Sequence, residues 1–360
     1  MSRQKEPPPQ PLRILDANFN RIREGLRVLE DIARFHLDDP SITQELKGMR
    51  HELTESNRSL QRQLLEARNS ETDVGIEMPD EKERKDLQSL VIANARRVQE
   101  ALRVIEELAK LPGTFLEGAR FKQARFVLYT LEQKLVSKLL RKDKQGRLAG
   151  LYVIIDADAV RGRTEGEVAR QAINGGARVI QLRDKHRSKE ELLPIAQELR
   201  ELCSESDVLF LVNDYLVLAL ATDSDGLHIG KGDLPLPAAR RLLPGDKIVG
   251  CSTATLDQAL KAESEGADYI AVGSIYPTPS KEGRIVVGPE RLSEIRKAVS
   301  LPLVAIGGIN KENVAEVIAS GADSVAVISA VLGSPDVEGA ARQLSEEIER
   351  CSLLAEQKHE

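Results

Sequence analysis

From residue 148 onward the chain alternates short Val/Ile-rich runs with amphipathic helical stretches, and this alternation restricts the fold more than any other feature. Candidate strands are 151–156, 179–183, 209–213, 227–229, 248–251, 269–273, 303–306 and 324–328, with helices such as 165–174, 189–202, 256–265, 290–299 and 312–320 between them. Short apolar runs bounded by turn residues are the pattern of strands buried on both faces. Gly176-Ala177, Gly266-Ala267 and Gly321-Ala322 stop three helices just before the next strand, as glycine does at helix ends. Eight parallel strand-helix units in roughly 200 residues predict an α/β fold, a compact (β/α)8 TIM barrel. The alternative, an open doubly wound sheet, would be expected to carry a GxGxxG turn after its first strand, and that motif is absent there.

The half ahead of the barrel has helical period, little glycine and an internal repeat. Residues 17–33 recur as 93–109, and Lys47, Arg50, Leu53 and Leu60 answer to Lys122, Arg125, Leu128 and Leu135. Ile22, Leu26, Leu29 and Ala33 form one apolar stripe, and Val98, Leu102, Ile105 and Ala109 form its copy. Two such helix pairs predict an all-α, four-helix-bundle-like domain over 12–145, after a disordered tail at 1–11 and before a barrel over 146–360. The segment 70–86 reads as an exposed connection, and 141–147 as a short solvated linker. The copies also share Asn18/Asn94, Arg21/Arg97, Glu24/Glu100, Arg27/Arg103 and Glu30/Glu106. That set reads as a solvated face laced with ion pairs, Glu30 to Arg34 among them; a ligand cleft is the alternative.

Composition narrows the function classes. Net charge is −6, with 28 Lys and Arg against 24 Asp and Glu over residues 1–148 and 23 against 33 over the remainder. No general nucleic-acid binder is expected. Cys203, Cys251 and Cys351 lack metal-ligand spacing, which fits a reducing compartment. The proline-rich start and the lack of a long apolar run predict neither a signal peptide nor a membrane span, hence a cytoplasmic protein.

Barrel chemistry belongs at the carboxyl ends of the strands. Those ends read Gln181-Leu-Arg183-Asp-Lys185, Asn213-Asp214, His228 through Asp233, Gly250-Cys-Ser252, a loop with Thr278, Ser280 and Lys281, Gly307-Gly308, and Ile328-Ser329. Glycines after strand seven and Ser329 after strand eight suit a monophosphate held by backbone N–H groups. Arg183, Lys185 and Lys281 with Asp214 and Asp233 suit a diphosphate bound through Mg2+. Taken singly, each has a plain alternative: turn chemistry for the glycines, helix capping for Asn213-Asp214, packing for His228.

At these residues the barrel half resembles thiamine phosphate synthases, over about 148–354, through QLRDK, ND, HIGKGDLP, GCST, GSIYPTPSK, AIGGI and VAVISA. The resemblance implies a transferase that joins hydroxymethylpyrimidine diphosphate to a thiazole phosphate, releasing diphosphate. It further implies that Gln181 contacts the pyrimidine, and that Asn213 and the candidate catalytic groups Arg183, Lys185, Ser252 and Lys281 hold the diphosphate. Asp214 and Asp233 would hold Mg2+, Thr278 and Ser280 would flank the thiazole, and Gly308, Ile328 and Ser329 would receive its phosphate. Lys231-Gly232 before Asp233, and Ser280 before Lys281, depart from the family's usual Gln-Glu and Thr. The helical half resembles the domain found ahead of some members, proposed to phosphorylate hydroxymethylpyrimidine phosphate; a scaffold or homo-oligomer contact is the other reading. The rivals for the barrel are a thiazole tautomerase, which needs no diphosphate and metal set, and a non-catalytic ligand-binding barrel. The partners expected are small-molecule substrates, with no nucleic acid and no membrane.

Overall fold

The computed structural model describes residues 9–54, 58–67, 84–112, 116–278 and 285–356. The chain divides into two compact units, one ending at Leu140 and one beginning at Arg141. The helical unit contains α1 (Pro9–Asp31), α2 (Pro40–Thr54), α3 (Arg58–Ala67), α4 (Leu87–Leu108) and most of α5 (Gly118–Gly146). A π-helical turn, Ile32–His36, follows α1. Where four helices were expected, the second helix of the first copy is two, α2 and α3, while its counterpart is the single α5. Of the tail expected over 1–11, residues 1–8 lie outside the described residues, and the chain is helical from Pro9. Most of the connection expected over 70–86 also lies outside them; its end, Asp86, caps α4 through Ser89 N at 2.6 Å.

The repeated stripes form the core of this unit. Ile22, Leu26, Leu29, Ala33, Val98, Leu102 and Ile105 are buried, and Gly25 lets α1 approach α4, since a Cβ there would lie 2.5 Å from Val98 Cγ2. Six of the ten shared polar residues, Asn18, Asn94, Glu30, Glu106, Arg27 and Arg103, pair within the unit. Asn18 Nδ2 donates to Ile14 O at 2.7 Å and Asn94 Nδ2 to Leu90 O at 2.9 Å. Buried Glu30 accepts from Arg50 Nε at 2.8 Å, and buried Glu106 from Arg125 Nε at 2.7 Å. Arg27 and Arg103 join the same two networks. Arg34 is not the partner of Glu30 that helical spacing suggested; it lies over the Phe35 ring, 4.7 Å from its centroid. Burial against an arginine of the second helix won over the exposed i, i+4 contact.

In the second unit eight parallel strands close in sequence order, β1 (Gly150–Asp156), β2 (Ala177–Arg183), β3 (Leu209–Asn213), β4 (Gly226–Ile229), β5 (Ile248–Thr253), β6 (Tyr269–Val272), β7 (Leu303–Ile306) and β8 (Ser324–Val327). Around them run α6 (Glu165–Asn174), α7 (Lys189–Glu205), α8 (Leu216–Ala221), α9 (Leu236–Leu242), α10 (Leu256–Ser264), α11 (Gly288–Arg296), α12 (Val314–Ala319), α13 (Ser329–Leu332) and α14 (Val337–Glu356). Capping boxes at Thr164/Glu167 and Ser188/Glu191 start α6 and α7. Alternate strand residues divide between two cores. Leu151, Val153, Ile180, Phe210 and Val212 face the helices, while Tyr152, Ile154, Val179, Leu209, Leu211, Tyr269 and Val304 fill the barrel. At the amino ends Asp225, Asp268 and Asp323 precede even-numbered strands, and each accepts a backbone N–H from a neighbouring strand, Phe210, Val249 and Leu303, at 2.7 to 3.0 Å. Arg200, Arg240 and Arg296 pair with them in turn.

The stretch 141–147 is not a solvated linker. It is helical to Gly146, and its cations belong to the barrel unit: Lys144 reaches Asp225 and Asp246 at 3.5 and 3.4 Å, and Arg147 reaches Asp207 at 2.8 Å. Leu148 is fully buried in the barrel interior. Polar composition concealed this, because these side chains are bound to the aspartates beneath the strands rather than to water. A chain beginning at Gly146 is therefore expected to be less stable than one beginning at Arg141 by about 2 kcal/mol, since part-buried carboxylates lose a partner. Equal urea midpoints for the two would contradict this.

Candidate active site

Period-two alternation aims the polar residues. Gln181 sits level with Ile154 and Leu211, and His228 level with Asn213 and Gly250, so the inward parity that packs the barrel below carries polar groups above. One cavity at the carboxyl ends is lined by Gln181, Arg183 and Lys185 from β2 and its loop, Asn213 at the end of β3 and Asp214 just beyond it, Asp233 after β4, and Ser252 on β5. Thr278, Gly308, Ile328 and Ser329 line the same cavity. Ser280 and Lys281 lie outside the described residues.

The cationic and anionic groups meet on one side. Arg183 pairs with Asp156, the last residue of β1, which the reading of strand ends had passed over. Asp214 has φ +62° and donates its N–H to His228 O at 2.9 Å. Its side chain caps no helix, since α8 begins after Tyr215 with no side-chain cap bond. Asp233 Oδ2 accepts from Gly230 N at 2.8 Å, which fixes the carboxylate within its own turn. Burial, with the Asp233 carboxylate beside it, pushes Asp214 up to about 6, against the opposing pull of Lys185 and Arg183. Lys231 lines the cavity, and Gly232 has φ +97°, a conformation that favours glycine.

Deeper in the cavity Gln181 is 2% exposed, and its Nε2 has no hydrogen-bond partner among the described residues. Ser252 Oγ lies 2.9 Å from His228 Nε2, and the Tyr269 hydroxyl 3.0 Å from His228 Nδ1. His228 is thus hydrogen-bonded at both nitrogens, in keeping with a packed rather than a free histidine.

The opposite side is made of main chain. Gly307 and Gly308 have φ +105° and +65°. Tyr276 N donates to Gly307 O at 2.9 Å, and a Cβ on Gly308 would stand 2.5 Å from Pro277 O. Ile328 and Ser329 lead into α13 immediately beyond β8. The glycines let the loop after β6 pack against the end of β7, since a Cβ on Gly307 would meet Ser274 Oγ at 2.0 Å and one on Gly308 Pro277 O at 2.5 Å, and turns of successive backbone N–H groups are a way that main chain holds a phosphate. Among the described residues no group of three or more His, Cys, Asp or Glu could hold a metal. The donor set is two carboxylates facing a cavity with room for a ligand, which fits Mg2+ completed by substrate phosphates and not a dedicated protein cage.

Comparison with known proteins gives consistent findings. The thiamine monophosphate synthase family model (TMP-TENI) matches residues 151–331, and a ThiD2 family model matches 13–134. A thiamine-phosphate synthase from a Synechocystis strain is 40% identical over 343 residues, covering 94% of this chain and 97% of its own. One from Thermosynechococcus vestitus is 40% identical over 336 residues, covering 92% and 93%. A thiamine phosphate pyrophosphorylase structure from Pyrococcus furiosus superposes with TM-score 0.54 at 42% identity, over 58% of this chain and 98% of that one. No described helix is long and apolar enough to cross a membrane.

Proposed function

This chain belongs to the thiamine-phosphate synthase family and is a transferase, and from that premise we propose how its residues divide the work. The substrates are hydroxymethylpyrimidine diphosphate and a thiazole phosphate. Gln181 contacts the pyrimidine end, and Ser252 joins the groups that hold the diphosphate. Arg183, Lys185, Lys281 and Asn213 hold the diphosphate, and the glycine wall with Ile328 and Ser329 holds the thiazole phosphate, beside Thr278 and Ser280.

The reaction breaks the C–O bond between the pyrimidine methylene and the diphosphate and forms a C–N bond to the thiazole nitrogen. The bonding pair of the C–O bond leaves with diphosphate, and the nitrogen lone pair makes the new bond. No proton is transferred, so no side-chain base is required. The electron-rich pyrimidine stabilises positive charge on the methylene as the leaving group departs. Arg183 and the lysines meet the growing negative charge where water would otherwise have to reorganise. Mg2+ held by Asp214 and Asp233 would neutralise the diphosphate further. The observation that carries this assignment is the segregation of the cavity: cations and paired carboxylates on one side, glycine backbone on the other.

This arrangement favours the synthase over the tautomerase reading, because a thiazole isomerase has no use for Asp214, Asp233, Arg183 and Lys185 together. Binding supplies the test: calorimetry with pyrimidine diphosphate should require Mg2+, and calorimetry with thiazole phosphate alone should not. Tight metal-independent binding of the diphosphate would sink the assignment. For the helical unit a scaffold reading is supported by the internal bonds of Asn18, Asn94, Glu30 and Glu106. Arg21, Arg97, Glu24 and Glu100 remain exposed. ATP consumption with hydroxymethylpyrimidine phosphate would overturn the scaffold reading in favour of the kinase.

A further inference from the structure

Below the cavity the barrel axis holds two tyrosines and a histidine that the reaction as proposed does not use. Tyr152 on β1 and Tyr269 on β6 are 2% and 0% exposed, with hydroxyls 3.3 Å apart. The Tyr269 hydroxyl continues to His228 Nδ1 at 3.0 Å, and His228 Nε2 to Ser252 Oγ at 2.9 Å. The His228 and Tyr269 rings stack, centroids 5.7 Å apart. Gly250 admits the tyrosine ring, since a Cβ there would stand 1.9 Å from Tyr269 Cζ. The four residues form one file from the buried interior to the cavity wall.

Such a file can be protonated in two directions, and burial decides between them. If Ser252 donated to Nε2, His228 would donate to Tyr269 and Tyr269 to Tyr152, whose own proton would then find no acceptor among the described residues. A doubly protonated imidazole ends the same way. Leaving a buried donor unmade costs about 1 to 3 kcal/mol. In the other direction Tyr152 donates to Tyr269, Tyr269 to Nδ1, and the Nε2 proton to Ser252. Every buried proton then has an acceptor, and the only unspent one is the serine's, at the cavity wall.

We propose that Tyr269 and Tyr152 are positioning residues that hold His228 as the Nε2–H tautomer, so that the Ser252 proton stays free to donate to the pyrimidine diphosphate. The ligand atom that takes the Ser252 proton is therefore an acceptor, as the oxygens of a diphosphate are. This inference rests on the assignment of the cavity to the pyrimidine substrate.

The tautomer can be read without either substrate. In 15N-edited imidazole spectra of the full chain, with His228 identified by its loss in a His228→Gln variant, the account expects a protonated Nε2 and a bare Nδ1. A protonated Nδ1, or an imidazolium, overturns it. In Tyr269→Phe the ring loses its fixed donor and both tautomers appear. KM for the pyrimidine diphosphate then rises about tenfold, the effect of one misdirected hydrogen bond, while KM for the thiazole phosphate holds. His228→Gln, whose side-chain amide can still donate towards Ser252, keeps more of the affinity than His228→Leu. If Tyr269→Phe lowers only the melting temperature, with spectrum and both KM values unchanged, the tyrosine is packing and the proposal fails. A spectrum as expected in a protein that turns over neither substrate would leave the tautomer standing and count against the assignment of the reaction.

Discussion

Replacing Asp214 or Asp233 with asparagine is expected to lower kcat by about two orders of magnitude or more, the scale of losing metal-assisted charge neutralisation at a leaving group, while Asp214→Asn stabilises the metal-free protein. The second half follows from the same geometry as the first. In the folded, metal-free chain burial and Asp233 raise Asp214 to about 6, from 3.8. Between those values the folded state keeps a proton that the unfolded state has lost, so this group's contribution to stability falls as pH rises through the window. Asparagine carries no charge and removes that slope. At pH 7 in chelator Asp214→Asn should melt above the parent. Activity has the opposite dependence, because Mg2+ competes with the same proton; it should decline as pH drops below about 6 and recover partly with more Mg2+. A variant that keeps full activity in excess chelator would remove the carboxylates from the mechanism.

Gly308→Val should raise KM for the thiazole phosphate roughly 10- to 100-fold, the effect of losing one or two backbone bonds to a charged group, with much less change in KM for the pyrimidine diphosphate. Two causes add. At φ +65° valine is strained, and its Cβ would meet Pro277 O at 2.5 Å and Tyr276 Cβ at 2.8 Å. Relief would displace the backbone whose N–H groups the phosphate needs. Gly308→Ala is the milder version and should show the same selectivity at smaller size. Equal changes in both KM values in Gly308→Ala, with an unchanged melting temperature, would refute the division of the cavity into two phosphate ends.

The strands were legible because each is a short apolar run closed by a turn, and the structure moves their ends by no more than two residues, starting β1 and β2 earlier, at Gly150 and Ala177, and ending β6 and β8 one residue sooner. The cavity was legible for a related reason: in a barrel, polar residues at strand ends have one place to point. What stayed hidden were contacts between residues far apart in the chain. Tyr152 and Tyr269 are 117 positions apart, and Tyr269 looks like any aromatic at the start of a strand. Asp156 ends a strand already recognised, yet only the fold brings Arg183 to it. Asp225, Asp268 and Asp323 did carry a signal, an acid directly ahead of an apolar strand, two of them after Gly-Ala. In the helical half the repeat gave the core stripes, but a polar stretch with no apolar period concealed that α5 runs on to Gly146.

Stoichiometric diphosphate release bears most directly on the central claim. With purified full-length chain, Mg2+, hydroxymethylpyrimidine diphosphate and thiazole phosphate, the account predicts one diphosphate per thiamine monophosphate formed, none of it dependent on ATP, and no product when either substrate is omitted. Conversion of thiazole phosphate alone to an isomer, or no diphosphate from the complete mixture, would contradict it.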